Sequence, residues 1–406
     1  PYGLLTGGLA SGGPGQKIQL MDVDTVVAEV AAAVGLAEGE AGVRDILAAV
    51  LSAEPAAVRE VSRLAELPVP IVAAACNELR KRDMVDNTRP VRLTAVGREA
   101  LAAGQPDLTA GCPACAGRGV VIPAGAAGLA AEVELAAVGA PGAKPELDQT
   151  HCTVTTKLNR VLRLHAAHAL AGQRILLLGD DDLVSVAIAA FAAWSGHPGL
   201  VRRLAVVDTD PDVLGWIGQQ AGRSGMHVDL IEHDLRQPLP ADLAGGFDVV
   251  LTDPPYTVAG AQLFLSRAVA ALEPQPGRHV FFSFGGRRPD ETAAVQLAIA
   301  QMGLVVRSLT PNFNEYVGAG VLGGTSHLYH LRSTAAARPL ITGAHDGALY
   351  TADGRTVALR PYRCAGCQGV HEVGPGGRWP RIADLQAAGC PDCGGVIFRP
   401  MALTPR

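Results

Sequence analysis

Residues 174–182 read RILLLGDDD, an apolar run as long as a buried β-strand, followed by a glycine and three aspartates. Further along the chain, similar short apolar runs alternate with segments of helical hydrophobic spacing, which is typical of a parallel sheet flanked by helices. Strands are predicted at Arg174–Leu178, Leu204–Val207, Val228–Ile231, Phe247–Thr252, His279–Phe284, Leu304–Leu309 and Leu328–Leu331. The predicted fold class is therefore α/β, with a Rossmann-like, doubly wound, seven-stranded domain over residues 148–335.

Aspartates follow the first four predicted strands. They are Asp180, Asp181, Asp182, Asp208, Asp234 and Asp253. Ligands of open parallel sheets bind outside the carboxyl ends of the strands, so these side chains would concentrate negative potential in one cleft. Such a cleft suits a substrate with several ammonium groups. A single aspartate at a strand end is commonly a helix N-cap, and this is the alternative for Asp182 and Asp210.

Two of these aspartates indicate a cofactor that contains adenosine. Asp208 ends the second strand, where an acidic side chain can bind both ribose hydroxyls, and Asp234 occupies a place that often contacts the adenine amino group. Gly179 is followed by three aspartates instead of Gly-x-Gly-x-x-Gly, and these carboxylates would repel a diphosphate. The pattern disfavours NAD and leaves a cationic sulfonium nucleoside without phosphate.

The motif Asp253-Pro254-Pro255-Tyr256 follows the fourth strand. Its two prolines restrict the backbone so that a carboxylate and a prolyl carbonyl can face an incoming amine, and the tyrosine ring offers a π-face to it. This arrangement can hold a nitrogen nucleophile in line with an electrophilic carbon next to sulfur.

On these motifs the sequence resembles the branched-chain polyamine synthase family, the N4-bis(aminopropyl)spermidine synthases. The resemblance covers about Glu146 to Arg332. The matching residues are Asp148-Gln149, Thr153, Gly179 to Leu183, Ser185, Asp253 to Thr257, Gly323 to Ser326 and Leu328-Tyr329. The resemblance implies a winged-helix domain before a Rossmann-like catalytic domain, and chains that pair as homodimers. It also implies transfer of aminopropyl groups from decarboxylated S-adenosylmethionine to the secondary amine of spermidine, with release of methylthioadenosine.

With this reaction in view, each candidate site residue has an expected role. Asp181 would orient and help deprotonate the amine, and Asp253, the Pro254 carbonyl and Tyr256 would position it. Asp180 or Asp182 would hold the ammonium of the donor, and which of the three adjacent aspartates takes which role stays open. The remaining candidates for binding the donor are Gly179, Asp208, Asp234, Gln149 and Thr153.

The N-terminal part of the chain predicts a helical domain. Residues 1–20 are expected to be a flexible leader or added arm, and residues 21–105 a winged helix. A helix-turn-helix is predicted at Val58–Val85, and the strand and final helix of the domain at Arg92–Arg98. The helix that ends in Arg80-Lys81-Arg82 could bind DNA. Alternatively, the domain mediates dimerisation or roofs the active site, which the formal net charge of -5 favours.

Six of the eight cysteines form Cys-x-x-Cys pairs. Cys364, Cys367, Cys390 and Cys393 have zinc-ribbon spacing, so residues 340–406 are predicted to be a small domain around a structural zinc ion. Cys112 and Cys115 lie in a predicted connector, residues 106–147, without a second pair nearby. They are expected to be free buried thiols, an inter-subunit site, or a zinc site completed by His151 and Cys152.

The composition narrows the functional classes. A chain with 48% hydrophobic and 18% charged residues is neither disordered nor strongly basic, and its cysteine usage indicates a reducing, cytoplasmic compartment; neither a membrane span nor a nucleic-acid partner is expected. Three alternatives stay open. They are an S-adenosylmethionine-dependent methyltransferase acting on amino groups of nucleic acid, aminopropylation of a peptide or metabolite amine, and a regulator with a catalytically inactive domain.

Overall fold

The structure is a computed structural model that describes residues 23–102, 112, 114–317, 324–350, 360–374, 378–379 and 382–401. The predicted leader, residues 1–20, lies outside the described residues, as does Gly323 of the family motif.

A seven-stranded sheet forms the centre of the molecule, with the strand order β3-β2-β1-β4-β5-β7-β6. Its strands are β1 (Arg174–Leu178), β2 (Arg203–Asp208), β3 (Asp229–Glu232), β4 (Val249–Thr252), β5 (His279–Phe284), β6 (Leu304–Glu315) and β7 (Thr325–Ser333). All seven predicted strands are present. The largest shifts in bounds are at β6 and β7, which are longer than predicted.

The prediction of a wholly parallel sheet is wrong at one edge. Strands β1 to β5 are parallel, but β7 pairs antiparallel with both β5 and β6. Only residues 316–324 separate β6 from β7. That is too short for the helical crossover that a parallel pair requires, so the chain returns as a hairpin.

Helices cover both faces of the sheet. They are α6 (Ala127–Ala137), α7 (Val154–Ala166), α8 (Val184–Trp194), α9 (Pro211–Arg223), α10 (Val258–Ala271) and α11 (Pro289–Gln301), numbered after α1 to α5 of the N-terminal region. Alternate side chains of β1 enter opposite layers: Ile175 and Leu177 pack with α8, and Leu176 and Leu178 pack with α10. Helix α6 lies in the segment predicted as a connector and packs on the first of these layers.

The N-terminal region contains α1 (Val23–Val34), α2 (Gly39–Ala53), α3 (Val58–Leu64), α4 (Val69–Lys81) and α5 (Ala95–Ala102) around a separate core. The helix pair α3 and α4 is where the sequence predicts it, and the winged-helix assignment stays a prediction. This region contacts the sheet domain directly, because Arg63 Nη1 lies 3.2 Å from Glu315 Oε1 and Asn312 donates to the Arg63 carbonyl at 2.7 Å.

The cations at the end of α4 are engaged within the N-terminal region. Lys81 pairs with Glu78 at 2.6 Å, and Arg82 pairs with Glu78 and Glu29 at 2.8 and 2.9 Å. Arg80 donates to the Asp86 carbonyl at 2.9 Å. These acidic partners reduce the positive potential that a DNA-reading helix would offer to phosphates.

The C-terminal region forms a three-stranded sheet in the order β10-β8-β9. Its elements are β8 (Arg360–Cys364), β9 (Val370–Val373), α12 (Ile382–Ala388) and β10 (Phe398–Pro400). Among all the residues described, no helix has the length and apolar character needed to span a membrane.

Candidate active site

Two cavities lie at the carboxyl ends of the central strands. The first cavity is lined by Arg160, Leu164, Leu177, Gly179, Asp180, Asp181, Asp182, Val184, Leu251, Thr252, Asp253, Phe281, Ser283 and Leu328. The second cavity is lined by Leu147, Asp148, Gln149, Gly179, Asp181, Val207, Asp208, Thr209, His233, Asp234, Leu235, Asp253, Pro255, Phe264, Leu349 and Tyr350. Gly179, Asp181 and Asp253 line both, so the two cavities meet at two carboxylates.

Asp180, the first of the three adjacent aspartates, bonds to the start of helix α8. Gly179 has a φ of +75°, which lets the chain turn sharply out of β1 towards α8. Asp180 then accepts hydrogen bonds from the backbone amides of Val184 and Ser185 at 2.7 and 3.1 Å, and from the Ser185 hydroxyl. Burial raises the pKa of Asp180 to about 7, although these donors oppose the shift. Both of its oxygens have partners within the protein.

The third aspartate is held by two cations. Asp182 accepts from Arg160 Nη1 at 2.8 Å and from the Cys152 amide at 2.5 Å, and the Lys157 ammonium bonds its backbone carbonyl. Burial alone would raise the pKa of Asp182, but the charges of Arg160 and Lys157 outweigh burial and lower it. Asp182 is therefore an ionised structural anion.

Arg160 joins Asp182 to the Asp-Pro-Pro-Tyr motif. Its guanidinium donates to Asp182 at 2.8 Å, to Asp253 Oδ2 at 2.7 Å, to Asn314 Oδ1 at 2.8 Å and to the Tyr316 hydroxyl at 3.2 Å. Arg160 is not among the residues predicted for the site. A signal was present, because α7 is strongly amphipathic and Arg160 lies on its buried stripe with Lys157 and Leu164.

Asp253 is surrounded by donors. Oδ1 accepts from the Tyr256 hydroxyl at 3.0 Å, and Oδ2 accepts from Arg160 and from the Tyr316 hydroxyl at 2.5 Å. Burial raises the pKa of Asp253, with Arg160 opposing the shift. Tyr256 thus contributes its hydroxyl to this network rather than only a ring face. Pro254 is buried, and Pro255 is the proline that lines the second cavity.

Asp181 differs from the other members of the set. Among the residues that the structure describes it has no ion pair, and its Oδ2 accepts one backbone hydrogen bond, from Thr150 at 3.1 Å. Burial raises its pKa well above the usual range, and the charges of Asp182, Asp253 and Asp208 raise it further. A carboxylate in this state can accept a proton at the junction of the two cavities.

The second cavity is lined by four of the residues predicted to bind the donor, which are Gly179, Gln149, Asp208 and Asp234. Asp208 accepts from the amides of Asp180 and Asp210, both at 2.9 Å, and burial raises its pKa. Gln149 donates to Asp210 at 3.3 Å. Asp234 pairs with Arg236 at 2.8 Å, which lowers its pKa against the effect of burial. Asp210 itself is the N-cap of α9, as the alternative interpretation proposed.

Two features of this region depart from the sequence analysis. Thr153 is the N-cap of α7, accepting from the Thr156 amide at 3.2 Å, and it lines neither cavity. Leu349 and Tyr350 fall in the segment assigned to the zinc ribbon, yet they line the second cavity, and Thr257 donates to the Leu349 carbonyl at 2.9 Å. The contact between Thr257 and Leu349 was not predicted, because these residues are far apart in the sequence.

The four C-terminal cysteines converge. The ligand atoms of Cys364, Cys367, Cys390 and Cys393 all lie within 4.8 Å of one another, with two Sγ–Sγ distances of 3.6 and 3.5 Å. Tetrahedral zinc with Zn–S bonds of about 2.3 Å places its sulfurs about 3.8 Å apart, so the four thiols fit this ion. His371 Nε2 lies 3.1 Å from Cys390 Sγ and can donate to it.

Comparison with known proteins agrees with this architecture. Residues 129–333 match the family model of the branched-chain polyamine synthase A C-terminal domain. An uncharacterized protein of Methanocaldococcus jannaschii is 32% identical over 378 residues, which cover 91% of each chain. The N(4)-bis(aminopropyl)spermidine synthase of Thermococcus kodakarensis is 32% identical over 64% of this chain and 74% of its own.

A solved structure shows the same fold. The branched-chain polyamine synthase from Thermus thermophilus, in complex with N4-aminopropylspermidine and 5'-methylthioadenosine, superimposes with a TM-score of 0.66 at 25% identity, covering 82% of this chain and 98% of that one. Together with the family model, which spans half of the sequence, these similarities establish that the chain belongs to the branched-chain polyamine synthase family.

Proposed function

We propose that the protein transfers the aminopropyl group of decarboxylated S-adenosylmethionine to an amine of a polyamine such as spermidine, releasing methylthioadenosine. The relatives named as N(4)-bis(aminopropyl)spermidine synthases support this assignment, as does the Thermus complex with a branched polyamine and methylthioadenosine. The single observation that carries it within this chain is the meeting of two cavities at Asp181 and Asp253.

The two cavities suit the two substrates. The second cavity combines Asp208, for ribose hydroxyls, and Asp234 with the apolar walls of Val207, Leu235 and Phe264, which suit a nucleoside. The first cavity combines carboxylates with Leu164, Phe281 and Leu328, which suit the methylene segments of a polyamine. A donor without a carboxylate needs no cationic anchor, so the acidic junction favours the decarboxylated form over intact S-adenosylmethionine.

The chemistry at the junction balances. The amine nitrogen attacks the aminopropyl carbon bonded to sulfur, the N–C bond forms as the C–S bond breaks, and both electrons of that bond pass to sulfur. The sulfonium thereby becomes a neutral thioether. The amine, with a pKa of about 10, must lose a proton in order to attack, and Asp181 is the carboxylate placed to accept it.

We propose a more specific role for each of the three adjacent aspartates. Asp180 and Asp182 line only the first cavity and bond a helix terminus and Arg160, so we assign them to shaping the junction rather than to the donor's ammonium. That ammonium and those of the polyamine would meet Asp181 and Asp253. The four C-terminal cysteines would hold a zinc ion in a structural role, because four thiolates leave no open coordination position.

Methylation of amino groups on nucleic acid is the competing function, because Asp-Pro-Pro-Tyr also suits that chemistry. Its acceptor is polyanionic and its donor carries a carboxylate. Both would face the acidic junction, and the cations of α4 are paired with acids. These charges favour the polyamine.

The decisive experiment supplies both donors with both acceptor classes and identifies the nucleoside product by mass spectrometry. With decarboxylated S-adenosylmethionine and spermidine we expect methylthioadenosine and a polyamine enlarged by aminopropyl groups. Peptide and metabolite amines tested in parallel define the acceptor. Release of S-adenosylhomocysteine with nucleic acid and intact donor, and no turnover with any polyamine, would contradict the proposal.

Replacement of Asp208 tests the donor site. Asp208→Asn is expected to weaken methylthioadenosine binding about 10- to 100-fold, because a hydrogen bond to a charged group contributes about 1.5–3 kcal/mol, and kcat should change much less. Titration calorimetry with methylthioadenosine measures this Kd without turnover. Asp45→Asn, an exposed substitution on α2, is the matched control. An unchanged Kd in a folded Asp208→Asn protein would remove Asp208 from the ribose site.

A further inference from the structure

The pair Cys112 and Cys115 has the backbone geometry of a metal knuckle. Cys112 is exposed, and the amides of Gly119 and Gly117 and the Cys112 thiol donate hydrogen bonds to the Cys115 sulfur. Residues 114–117 form a turn, and the nearest helical turn after them starts at Ala124. The thiols are therefore not at a helix N-terminus, where the Cys-x-x-Cys pairs of thiol oxidoreductases lower their pKa.

The other two Cys-x-x-Cys pairs of the chain share this geometry. The residue after the second cysteine has a positive φ in each pair: 47° at Ala116, 66° at Gln368 and 74° at Gly394. The amide two positions after Cys367, that of Gly369, donates to the Cys367 thiol, as the amide of Gly117 does to Cys115. Alanine and glutamine adopt this conformation only when the turn imposes it. The connector thus repeats the turn of the pairs that converge into a four-thiol group.

The connector pair supplies only half of a tetrahedral site. Within the described residues, no group of metal-ligating side chains includes Cys112 or Cys115. The residues first considered as further ligands are used elsewhere: both ring nitrogens of His151 face carbonyl oxygens, at 2.8 and 2.9 Å, and Cys152 is buried beside Lys157. Because Cys112 is exposed, the two missing ligands can come from a second molecule.

The surroundings of the knuckle favour a second copy of this chain. Arg163 donates to the Arg118 carbonyl at 2.5 Å and to Thr310 at 3.4 Å, which seats the knuckle loop against β6. Strand β6 is an edge of the main sheet and exposes apolar side chains there, with Val305 53%, Val306 44% and Leu309 42% accessible. An exposed apolar edge strand offers unpaired backbone groups and apolar surface to which a partner chain can bind. A two-fold axis beside this edge would bring two identical knuckles together and complete four thiolates.

We propose that Cys112 and Cys115 are half of a second metal site, which the same pair of another copy completes, so that one zinc ion links two chains. A dimer then holds three ions, one in each C-terminal cluster and one between the chains. This proposal is independent of the catalytic function, because neither cavity contains these cysteines.

Metal content and mass of the full chain, purified without chelators, test the proposal. Wild-type dimers separated by size-exclusion chromatography with light scattering should contain about 1.5 zinc ions per chain by elemental analysis. Cys112→Ser/Cys115→Ser should contain about 1.0 and dimerise more weakly, whereas Cys364→Ser/Cys367→Ser should contain about 0.5 and keep the dimer.

A measurement on the wild-type protein alone covers the case in which a variant does not fold. Cys112 and Cys115 should resist alkylation in the dimer and become reactive together when a chelator is added. About 1.0 zinc ion per chain would overturn the proposal, because the pair Cys112 and Cys115 would then be empty or oxidised. About 2.0 zinc ions per chain would also overturn it, because the second site would then be complete within one chain. Unchanged alkylation with and without chelator would overturn it as well.

Discussion

Asp181→Asn should lower kcat by about 10²- to 10⁴-fold, the range expected when a general base is lost. Asparagine keeps the volume of the side chain and can still accept the hydrogen bond from Thr150, but it cannot take a proton from the amine. The rate of methylthioadenosine release measures the effect. The Kd of methylthioadenosine should stay within a few-fold, because Asp208 and the apolar walls bind the nucleoside.

The pH dependence separates loss of the base from general damage. Because burial and three neighbouring carboxylates raise the pKa of Asp181, the proton-accepting form becomes populated only as pH rises through that value. The wild-type kcat/KM should therefore increase with pH through this ionisation, and the kcat/KM of Asp181→Asn should not show this increase. Asp45→Asn serves as the matched control. If Asp181→Asn kept its activity within tenfold of the wild type and still showed the increase of kcat/KM with pH, Asp181 would be excluded as the base.

Arg160→Leu should destabilise the protein by about 3–5 kcal/mol and abolish measurable turnover, because it leaves two buried carboxylates without their cation. Asp182 and Asp253 both lie within 2.8 Å of this guanidinium. Arg160 touches no reacting atom in the proposed reaction and acts as a positioning residue. Urea unfolding measures the loss, and Arg202→Leu, an exposed substitution on the same domain, should change stability by less than about 0.5 kcal/mol.

The sign of the pH effect distinguishes charge from packing. In the wild type Arg160 lowers the pKa of Asp182, so the stability it contributes is present above the ordinary aspartate range and is lost as pH falls. In Arg160→Leu the carboxylates have raised pKa values, so stability is lost as pH rises. The difference in unfolding free energy should therefore grow between about pH 4 and about pH 8, and adding Asp182→Asn should recover part of it. A difference independent of pH would show that Arg160 contributes packing alone.

Much of the site could be predicted because parallel strands bring their carboxyl ends to one edge. Asp181, Asp208 and Asp253 follow three neighbouring strands, so their convergence required only that the strands were assigned correctly. The hairpin return of β7 was not predicted, because an apolar run has the same spacing in either direction. The contribution of Leu349 and Tyr350 to the second cavity could not be predicted, because they lie in a segment whose sequence has no periodic pattern.

The sequence by itself determined the α/β class, the places of the strands, the acidic edge, the family and the spacing of the four C-terminal cysteines. Each of these depends on residues that lie close together in the sequence. Only the tertiary structure decided which carboxylate is free to act. Asp180, Asp181 and Asp182 are chemically identical neighbours in the chain. They differ because the start of α8 bonds the first and Arg160 neutralises the third, while the second has neither partner and faces both cavities. Charge state depends on burial and on groups close in space, and these are set by how α7, β4 and β6 pack together.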